Sequence, residues 1–458
     1  MNRTPSFTGK HFVVAGHHFF FNTLANTIDP VSLVAASLLE SSRNSHGGCD
    51  LCRSDANALD LLPFVQNPYS SSDIKEKLAN NIRLLILEIT RQCNMRCTYC
   101  VDGDAYRFKN DVHRDDMPES TALKGIDFLL KHSGSQQRPL AVSFYGGEPL
   151  LRFPLIEKVI AYVEMQAGKD IVFSVTTNGT LLNGDYIDFF AEKKVQLIVS
   201  IDGPKNVNDQ YRLTQDGEGS FDSIMEHLLD IKTRHRTYFD QLVKCSIVIP
   251  PGISLPETQQ FFHSLGASLI VNFAESYGLD YSKFDGNEIV GFDELYAALG
   301  RHLHEKGLAF LDSDEARYDF FLSLFKPLLS RFIDSKPVSR HMPLGQCIPG
   351  ISRLFVSIDG TLYPCEKTAG HSISRIGSID QGINVGRVRF LIENFYEIAA
   401  KHCDGCWMSG FCTACITHLC TGQELNEQKF SHFCEGAKKW GERVLKLLAT
   451  VPKTKSSS

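Results

Sequence analysis

The sequence lacks the features that would direct it to nucleic acid or to a membrane. Its 47 basic and 53 acidic residues nearly balance and form no basic run, so we expect no nucleic-acid partner. No stretch approaches the roughly 20 apolar residues that cross a bilayer. The first residues also lack the charged segment, long apolar core and small-residue cleavage site of a secretion signal. These absences predict a cytoplasmic protein with no membrane partner.

Cysteine is what the sequence has instead. The chain contains 14 cysteines, and in a reducing compartment these are expected to bind metal rather than to form disulfides. Three of them lie within residues 93–100, eight follow residue 345, and Cys49, Cys52 and Cys245 stand apart. The chemistry is therefore expected at two centres.

Apolar runs alternate with amphipathic helical stretches from about residue 84. The runs are LLILEIT, AVSFYGG, IVFSVTTNG, VQLIVSID, LVKCSIVIP and SLIVNFAE. Six strand-helix units in sequence predict an α/β fold with parallel strands and right-handed connections, either an open doubly wound sheet or a partial barrel. In both folds the chemistry lies at the carboxyl ends of the strands.

Conspicuous motifs follow the first four of these strands. They are RQCNMRCTYC, YGGEP, TTNGTLL and SIDGP. The first spaces its cysteines C-x3-C-x2-C, which leaves one iron of a four-iron cluster without a protein thiolate. Alone, this motif could be a structural cluster and GGEP a turn, but their joint placement at strand ends favours radical chemistry.

These paired motifs resemble those of radical SAM enzymes over residues 84–275. The resemblance implies a partial (β/α)6 barrel and a 4Fe-4S cluster on Cys93, Cys97 and Cys100. S-adenosyl-L-methionine would chelate the open iron through its amino and carboxylate groups. An electron from the cluster would then cleave it to a 5'-deoxyadenosyl radical that abstracts hydrogen from a substrate.

The resemblance also implies a set of cofactor-binding residues. Gly146 and Gly147 would let the backbone approach the methionyl part of S-adenosyl-L-methionine. Glu148 would bind the ammonium group of this cofactor, and Asn178 would bind its ribose hydroxyls. Ser200 and Arg212 would hold the carboxylate. The full set is Tyr99, Gly146, Gly147, Glu148, Thr177, Asn178, Ser200, Asp202 and Arg212.

The C-terminal cysteines resemble the SPASM extension of peptide-modifying radical SAM enzymes. RLFVSI and TLYPC predict a β-hairpin around Asp359-Gly360. The resemblance implies two auxiliary 4Fe-4S clusters, three clusters in all. We assign Cys403, Cys406, Cys412 and Cys434 to the distal one and Cys347, Cys365 and Cys415 to the proximal one. Cys420 or His341 would complete the proximal cluster, or one iron of that cluster would stay without a protein ligand. Alternatively, the C-terminal cysteines hold clusters that only stabilise a loop-rich domain, or they bind zinc.

The N-terminal segment HFVVAGHHFFFN predicts a hairpin of His11 to Ala15 and His18 to Asn22, followed by a helix that Asp29-Pro30 begins. It resembles the winged-helix-like leader-recognition element of peptide maturases, in which a leader adds as a strand to a sheet edge. Cys49 and Cys52 follow in a polar linker, as loop cysteines or half a zinc site. The predicted domains are 1–75 (leader recognition and linker), 76–310 (radical SAM barrel), 311–344 (connecting helices) and 345–458 (SPASM).

Together these features predict a cytoplasmic radical SAM/SPASM peptide maturase that forms thioether links, as in sactipeptides and ranthipeptides. Its partners would be a cysteine-containing precursor peptide with a leader and a low-potential electron donor such as ferredoxin or flavodoxin. The same parts could instead form carbon-carbon or carbon-oxygen crosslinks, or formylglycine for sulfatases, for which Asp280 and Asp285 are ordinary acid-base candidates. A non-catalytic iron-sulfur carrier or scaffold is the alternative outside the enzymes.

Overall fold

The computed structural model describes most of the chain. The described residues are 9–22, 26–33, 35, 69–100, 115–134, 139–166, 170–249, 253–273, 290–313, 316, 319–334, 347–403, 406–408 and 410–452. Several predicted residues lie outside these ranges, namely Cys49, Cys52, Asp280, Asp285 and His341.

A curved sheet of six parallel strands forms the centre of the fold. Its strands, in spatial and chain order, are β4 (Leu84–Thr90), β5 (Leu140–Gly146), β6 (Ile171–Thr177), β7 (Gln196–Ser200), β8 (Val243–Ile249) and β9 (Ser268–Phe273). Each strand pairs in parallel with the next, as the alternation of apolar runs and helical stretches predicts. The carboxyl ends of these strands therefore meet at one edge, where the four motifs lie.

Helices follow each of these strands, and those between successive strands form the crossovers that a parallel sheet requires. They are α2 (Glu119–His132), α3 (Phe153–Met165), α4 (Gly184–Glu192), α5 (Lys205–Tyr211), α6 (Phe221–Arg234), α7 (Arg236–Leu242), α8 (Leu255–Leu265) and α9 (Phe292–Lys306), with α1 (Ser71–Asn80) before β4. The outward side chains of the strands, such as Phe144, Val175 and Cys245, are fully buried in the core. The opposite face of β5 to β8 is half-buried, which leaves a concave surface within the curve of the sheet.

The predicted C-terminal hairpin forms and joins the same sheet. Strand β10 (Arg353–Val356) pairs antiparallel with β11 (Thr361–Tyr363), as the sequence predicts. It also pairs in parallel with β4, an attachment that the sequence does not indicate. With β12 (Gly377–Ser378) and β13 (Gly382–Ile383) the sheet has ten strands among the described residues and is mixed.

The N-terminal region is a three-stranded antiparallel sheet rather than a hairpin followed directly by a helix. The predicted hairpin is confirmed as β1 (Gly9–Val14) and β2 (His17–Asn22). The predicted helix start at Asp29-Pro30 is wrong, because these residues end a third strand, β3 (Thr27–Pro30), that pairs with β2. The pairing of Ile28 with Phe21 shows why: tertiary context favours a β-strand over the local helix-start signal. Helical residues follow at Leu33 and Ala35, where the Ser32 hydroxyl accepts from the Ala35 amide at 3.1 Å.

Three further long helices lie in the described part of the C-terminal half, and the first and last of them contact the N-terminal sheet. They are α10 (Phe320–Asp334), α11 (Val385–Cys403) and α12 (Glu427–Thr450), with a short ribbon of β14 (Cys420–Thr421) and β15 (Glu424–Leu425) before the last. Lys10 of β1 forms an ion pair with Glu442 of α12 at 2.8 Å. Among the described residues, no helix combines the length and the apolarity that crossing a membrane would require.

Candidate functional site

The first cysteine motif forms a loop directly after β4, held by residues 211–215. The backbone amide of Arg96 donates to the carbonyl of Leu213 at 2.7 Å, and that of Thr98 to the carbonyl of Tyr211 at 2.9 Å. The Gln215 side chain donates to the Cys93 carbonyl at 2.9 Å. The structure thus brings the loop of Cys93, Cys97 and Cys100 against the segment that contains Arg212, although 112 positions separate Cys100 from that arginine.

The thiols of this loop suit an iron-sulfur cluster. Burial raises the pKa of Cys93 and of Cys97, and each thiol is partly shielded from solvent. The Cys93 sulfur accepts hydrogen bonds from the Met95 amide at 3.4 Å and the Asn178 side chain at 3.9 Å. Such donors favour the thiolate form that binds iron.

In the described part of the chain, no three His, Cys, Asp or Glu side chains converge as the ligands of a single metal ion would. The thiolates of one iron-sulfur cluster bind different irons and so lie farther apart. The assignment of Cys93, Cys97 and Cys100 therefore stays a prediction, which the soft donor set and the shielded thiols fit.

The two glycines after β5 pack against the residues that lead into the cysteine loop. A Cβ on Gly146, whose φ is +132°, would lie 2.2 Å from the Thr90 carbonyl oxygen. One on Gly147 would lie 2.2 Å from the Gln92 carbonyl oxygen. The amides of Gly147 and Glu148 donate to those same two carbonyls, each at 2.8 Å. Close backbone approach is therefore needed here to fix the cysteine loop; a contact with a methionyl group stays a prediction.

Glu148 joins the ends of two neighbouring strands. Its carboxylate is fully buried and accepts hydrogen bonds from the Leu150 amide at 3.0 Å, the Thr177 hydroxyl at 2.7 Å and the Asn178 amide at 2.7 Å. Burial raises the pKa of this carboxyl, and the three donors oppose that rise. The predicted ammonium-binding group is thus held rigidly at the edge of the site.

Asn178 is engaged with the cysteine loop rather than open to solvent. Its side-chain amide donates to Asn94 at 2.9 Å, and its oxygen accepts from the amide and hydroxyl of Thr180 at 2.9 and 2.7 Å. Only 7% of the residue is exposed. These contacts place Asn178 beside Cys93 and Asn94; its binding of a ribose stays a prediction.

Tyr99, Asp202 and Arg212 form a buried network beneath the loop. The Tyr99 hydroxyl donates a short hydrogen bond to Asp202 and accepts one from Arg212 at 2.7 Å. Asp202 also accepts from the Val248 amide at 3.0 Å. Neighbouring anionic groups raise the pKa of Arg212, so its guanidinium stays charged despite burial. Its Nε atom is buried without a hydrogen-bond partner among the described residues, which suits an additional anionic ligand.

A second network at the strand end was missed by reasoning from the sequence. Glu88 of β4 accepts two hydrogen bonds from Arg91, at 3.1 and 3.0 Å, and one from the Ile358 amide at 3.2 Å. It thereby joins the cysteine loop to the C-terminal hairpin. The available signal was a single carboxylate in the apolar run LLILEIT, because such a residue is rarely buried unless it is paired.

The C-terminal cysteines gather in two groups, and all twelve described cysteines of the chain are free thiols. In the first group, the thiols of Cys406, Cys412 and Cys434 lie near enough to Cys403 for their charges to raise its pKa further than burial alone. The Cys406 amide donates to the Cys403 carbonyl at 3.1 Å, which closes the turn between them. This is the set assigned to the distal cluster.

The second group is centred on Cys415. Its pKa is raised by burial and by the charge of Cys347, and its own charge raises the pKa values of Cys365 and Cys420. Cys420 thus lies with the proximal set. The order and spacing of the cysteines in the sequence do not decide to which set it belongs. Cys347 is exposed, in contrast with the buried Cys420.

Residues 87–265 match the family model of the radical SAM superfamily. Together with the cysteine loop and the parallel sheet, this match identifies a radical SAM domain over these residues. The superfamily implies a 4Fe-4S cluster and S-adenosyl-L-methionine. The residues described above fit both groups, since they offer shielded thiols and a buried guanidinium with an unpartnered N–H.

Two curated relatives illustrate the similarity. The chain is 29% identical over 165 residues to a cysteine-type anaerobic sulfatase-maturating enzyme of Clostridium novyi, which covers 35% of this chain and 43% of the relative. It is 28% identical over 159 residues to the radical SAM cyclopropyl synthase TigE of Paramaledivibacter caminithermalis, which covers 33% of each chain. The chain spans between 33% and 46% of the first curated relatives it matches.

A solved structure extends the similarity in fold. The structure of native anSMEcpe with bound AdoMet superposes with a TM-score of 0.57 at 20% identity, and the match covers 79% of this chain and 98% of that one. Most of this chain therefore shares one fold with that protein.

Proposed function

We propose that the chain is a radical SAM maturase that installs thioether crosslinks between cysteine sulfur and a carbon of another residue in a ribosomally made precursor peptide. One observation carries this proposal: the N-terminal sheet docks on the region that holds the distal cysteines. The Phe21 ring of β2 packs edge-on against Trp407 and Phe411, with ring centroids 6.3 and 5.4 Å apart. Trp407 follows Cys406, and Phe411 precedes Cys412.

The sheet offers an edge for a leader peptide. Strand β3 lies at one side of the order β1-β2-β3, and three of its four residues are exposed. In the described part of the chain no further strand pairs with its outer edge. An extended leader can add there through main-chain hydrogen bonds, which would deliver the attached core peptide near the cysteine groups.

The cofactors would be held by the residues described above. Cys93, Cys97 and Cys100 would bind the cluster that carries S-adenosyl-L-methionine, and the two C-terminal groups would bind the auxiliary clusters. When bound, these groups supply a 5'-deoxyadenosyl radical that removes a hydrogen atom and a sink for the remaining electron. Tyr99, itself bound to Asp202, holds Arg212, which would bind the carboxylate of S-adenosyl-L-methionine. A low-potential donor such as ferredoxin or flavodoxin would supply the reducing electron.

Formylglycine formation on a sulfatase is the second candidate, and a specific observation favours it. Cys420 lies with Cys347, Cys365 and Cys415, so four thiols are available to close the proximal cluster and leave no iron for a substrate thiolate. Relatives in the curated set include sulfatase-maturating enzymes. The two reactions differ in their products, which makes them separable.

The test is anaerobic reconstitution followed by reduction with S-adenosyl-L-methionine and a cysteine-containing precursor, with mass spectrometry of the peptide. Thioether formation removes one hydrogen from carbon and one from sulfur, so the peptide should lose two hydrogens per link and its cysteines should resist alkylation. Replacement of the thiol by a carbonyl oxygen would establish the second candidate instead. A Cys93→Ala, Cys97→Ala, Cys100→Ala variant should form no 5'-deoxyadenosine, and continued formation would overturn the assignment of the cluster.

A further inference from the structure

The concave face of the sheet carries a set of polar side chains that, apart from Ser200, a predicted cofactor-binding residue, the site described above does not use. Its lining on β5 to β8 includes five serine and threonine residues and one lysine, and all six are half-buried. They are Ser143, Ser174, Thr176, Ser200, Ser246 and Lys244. Within the described residues, none of these side chains forms a hydrogen bond or an ion pair. Hydroxyls shielded this far normally find partners, so the face is suited to a polar ligand.

Alternation along β8 fixes the direction in which Lys244 points. Val243, Cys245 and Ile247 are fully buried in the core beneath the helices. Successive side chains of a strand point to opposite faces, so Lys244 and Ser246 project onto the concave face. A strand buried on both faces would be apolar throughout, whereas its first part, KCSI, alternates polar and apolar residues.

The register places Lys244 one layer below the cofactor end of the sheet. Ser200, a predicted cofactor-binding residue, pairs with Ser246, and Lys244 pairs with Ile198 on the same neighbouring strand. A two-residue step along a strand is roughly 7 Å. Thr176 lies in the same row as Lys244, since it pairs with Ile198 from the other side. A substrate beneath the cofactor would therefore meet this row.

The Lys244 ammonium is not neutralised by the nearby carboxylates. Glu88, on the same face but four strands away on β4, already accepts two hydrogen bonds from Arg91. Asp202 is hydrogen-bonded to Tyr99, which also binds Arg212. A partly desolvated ammonium without a partner favours the binding of an anion beside it. The surrounding hydroxyls can form hydrogen bonds with a peptide backbone.

We propose that Lys244 and the hydroxyls around it form the wall that binds the substrate peptide, and that Lys244 selects a peptide with an Asp or Glu side chain beside the residue that is modified. This inference rests on the proposed peptide substrate. It assigns Lys244 to substrate specificity and leaves cofactor binding to the residues at the strand ends.

The test measures the binding of fluorescein-labelled peptides to the reconstituted protein loaded with S-adenosyl-L-methionine. The peptides contain one cysteine and differ only in Glu or Gln at each flanking position. Wild-type protein should bind the best Glu peptide about tenfold more tightly than its Gln counterpart, as expected for a hydrogen bond between charged groups. Lys244→Met should abolish this preference, and Lys244→Arg should keep most of it. Lys158→Met, which removes an exposed lysine of α3, is the matched control and should bind as wild type does.

Two results would overturn the proposal. One is wild-type protein that shows no preference for any Glu peptide. The other is a Lys244→Met variant that keeps the preference, or that loses affinity for S-adenosyl-L-methionine instead, which would assign the lysine to the cofactor. Mass spectrometry of the same peptides tests the reaction separately: a Glu preference without any product would support the binding wall and contradict the proposed function.

Discussion

Replacing Tyr99 with Phe tests whether the buried network holds the cysteine loop in place. The substitution removes one hydroxyl that bonds Asp202 and accepts from Arg212, in a residue that is 8% exposed. A hydrogen bond to a charged group contributes about 1.5–3 kcal/mol. Asp202 keeps the Val248 amide as a donor. We therefore expect the variant to lose about 2–4 kcal/mol of loop stability, less than the sum of the two hydrogen bonds. The loop should open more readily as a result.

Hydrogen exchange measured by mass spectrometry reads this opening directly. Residues 93–100 and 211–215 are joined by backbone hydrogen bonds, so their amides should exchange together and about 30- to 1000-fold faster in the variant. Affinity for S-adenosyl-L-methionine should fall as well. Tyr186→Phe is the control, because that ring stacks on Phe153 and its hydroxyl has no hydrogen bond in the described structure. If both variants exchange alike, the network does not stabilise the loop and the reasoning is wrong.

Two further predictions concern packing. Gly147→Ala should displace the cysteine loop, because the added methyl would lie 2.2 Å from the Gln92 carbonyl oxygen. Iron analysis should then show loss of the first cluster with the auxiliary iron retained. Gly300→Ala, whose added methyl would have its nearest contact at 3.8 Å, should keep all iron. Phe21→Ala should cost about 3–5 kcal/mol of local packing and make the N-terminal sheet sensitive to protease, while 5'-deoxyadenosine formation persists. Val13→Ala, at a side chain that is 41% exposed, should leave protease resistance unchanged.

Local patterns predicted the elements of this fold well. The apolar runs gave all six parallel strands, and the motifs at their ends lie together at one edge of the sheet. Lys244 and Ser246 lie within one of these runs, but their place on the concave face became clear only from the register of the neighbouring strands. The patterns succeed here because strand periodicity and turn residues are properties of a few neighbouring positions.

What the sequence could not predict depends on contacts between distant positions. Thr27–Pro30 became a strand because β2 offered it a partner, against the local signal for a helix. The need for Gly147 came from the carbonyl of Gln92, a residue far along the chain. The grouping of Cys420 with Cys415 likewise follows from packing, since order and spacing left it open.

The pairing of β10 with β4 has a consequence for how the chain is made. Leu84 lies beside Arg353, so β4 leaves the ribosome long before its neighbour on that side has been synthesised. Until then the strand that precedes the cysteine loop has one unpaired edge, which is open to pairing with other chains. Pairing over so great a sequence separation is slow to form. We therefore expect the first cluster to be inserted most efficiently after the C-terminal half has been synthesised. A chain truncated before residue 353 would be prone to aggregate, even though it retains every cysteine of the first loop.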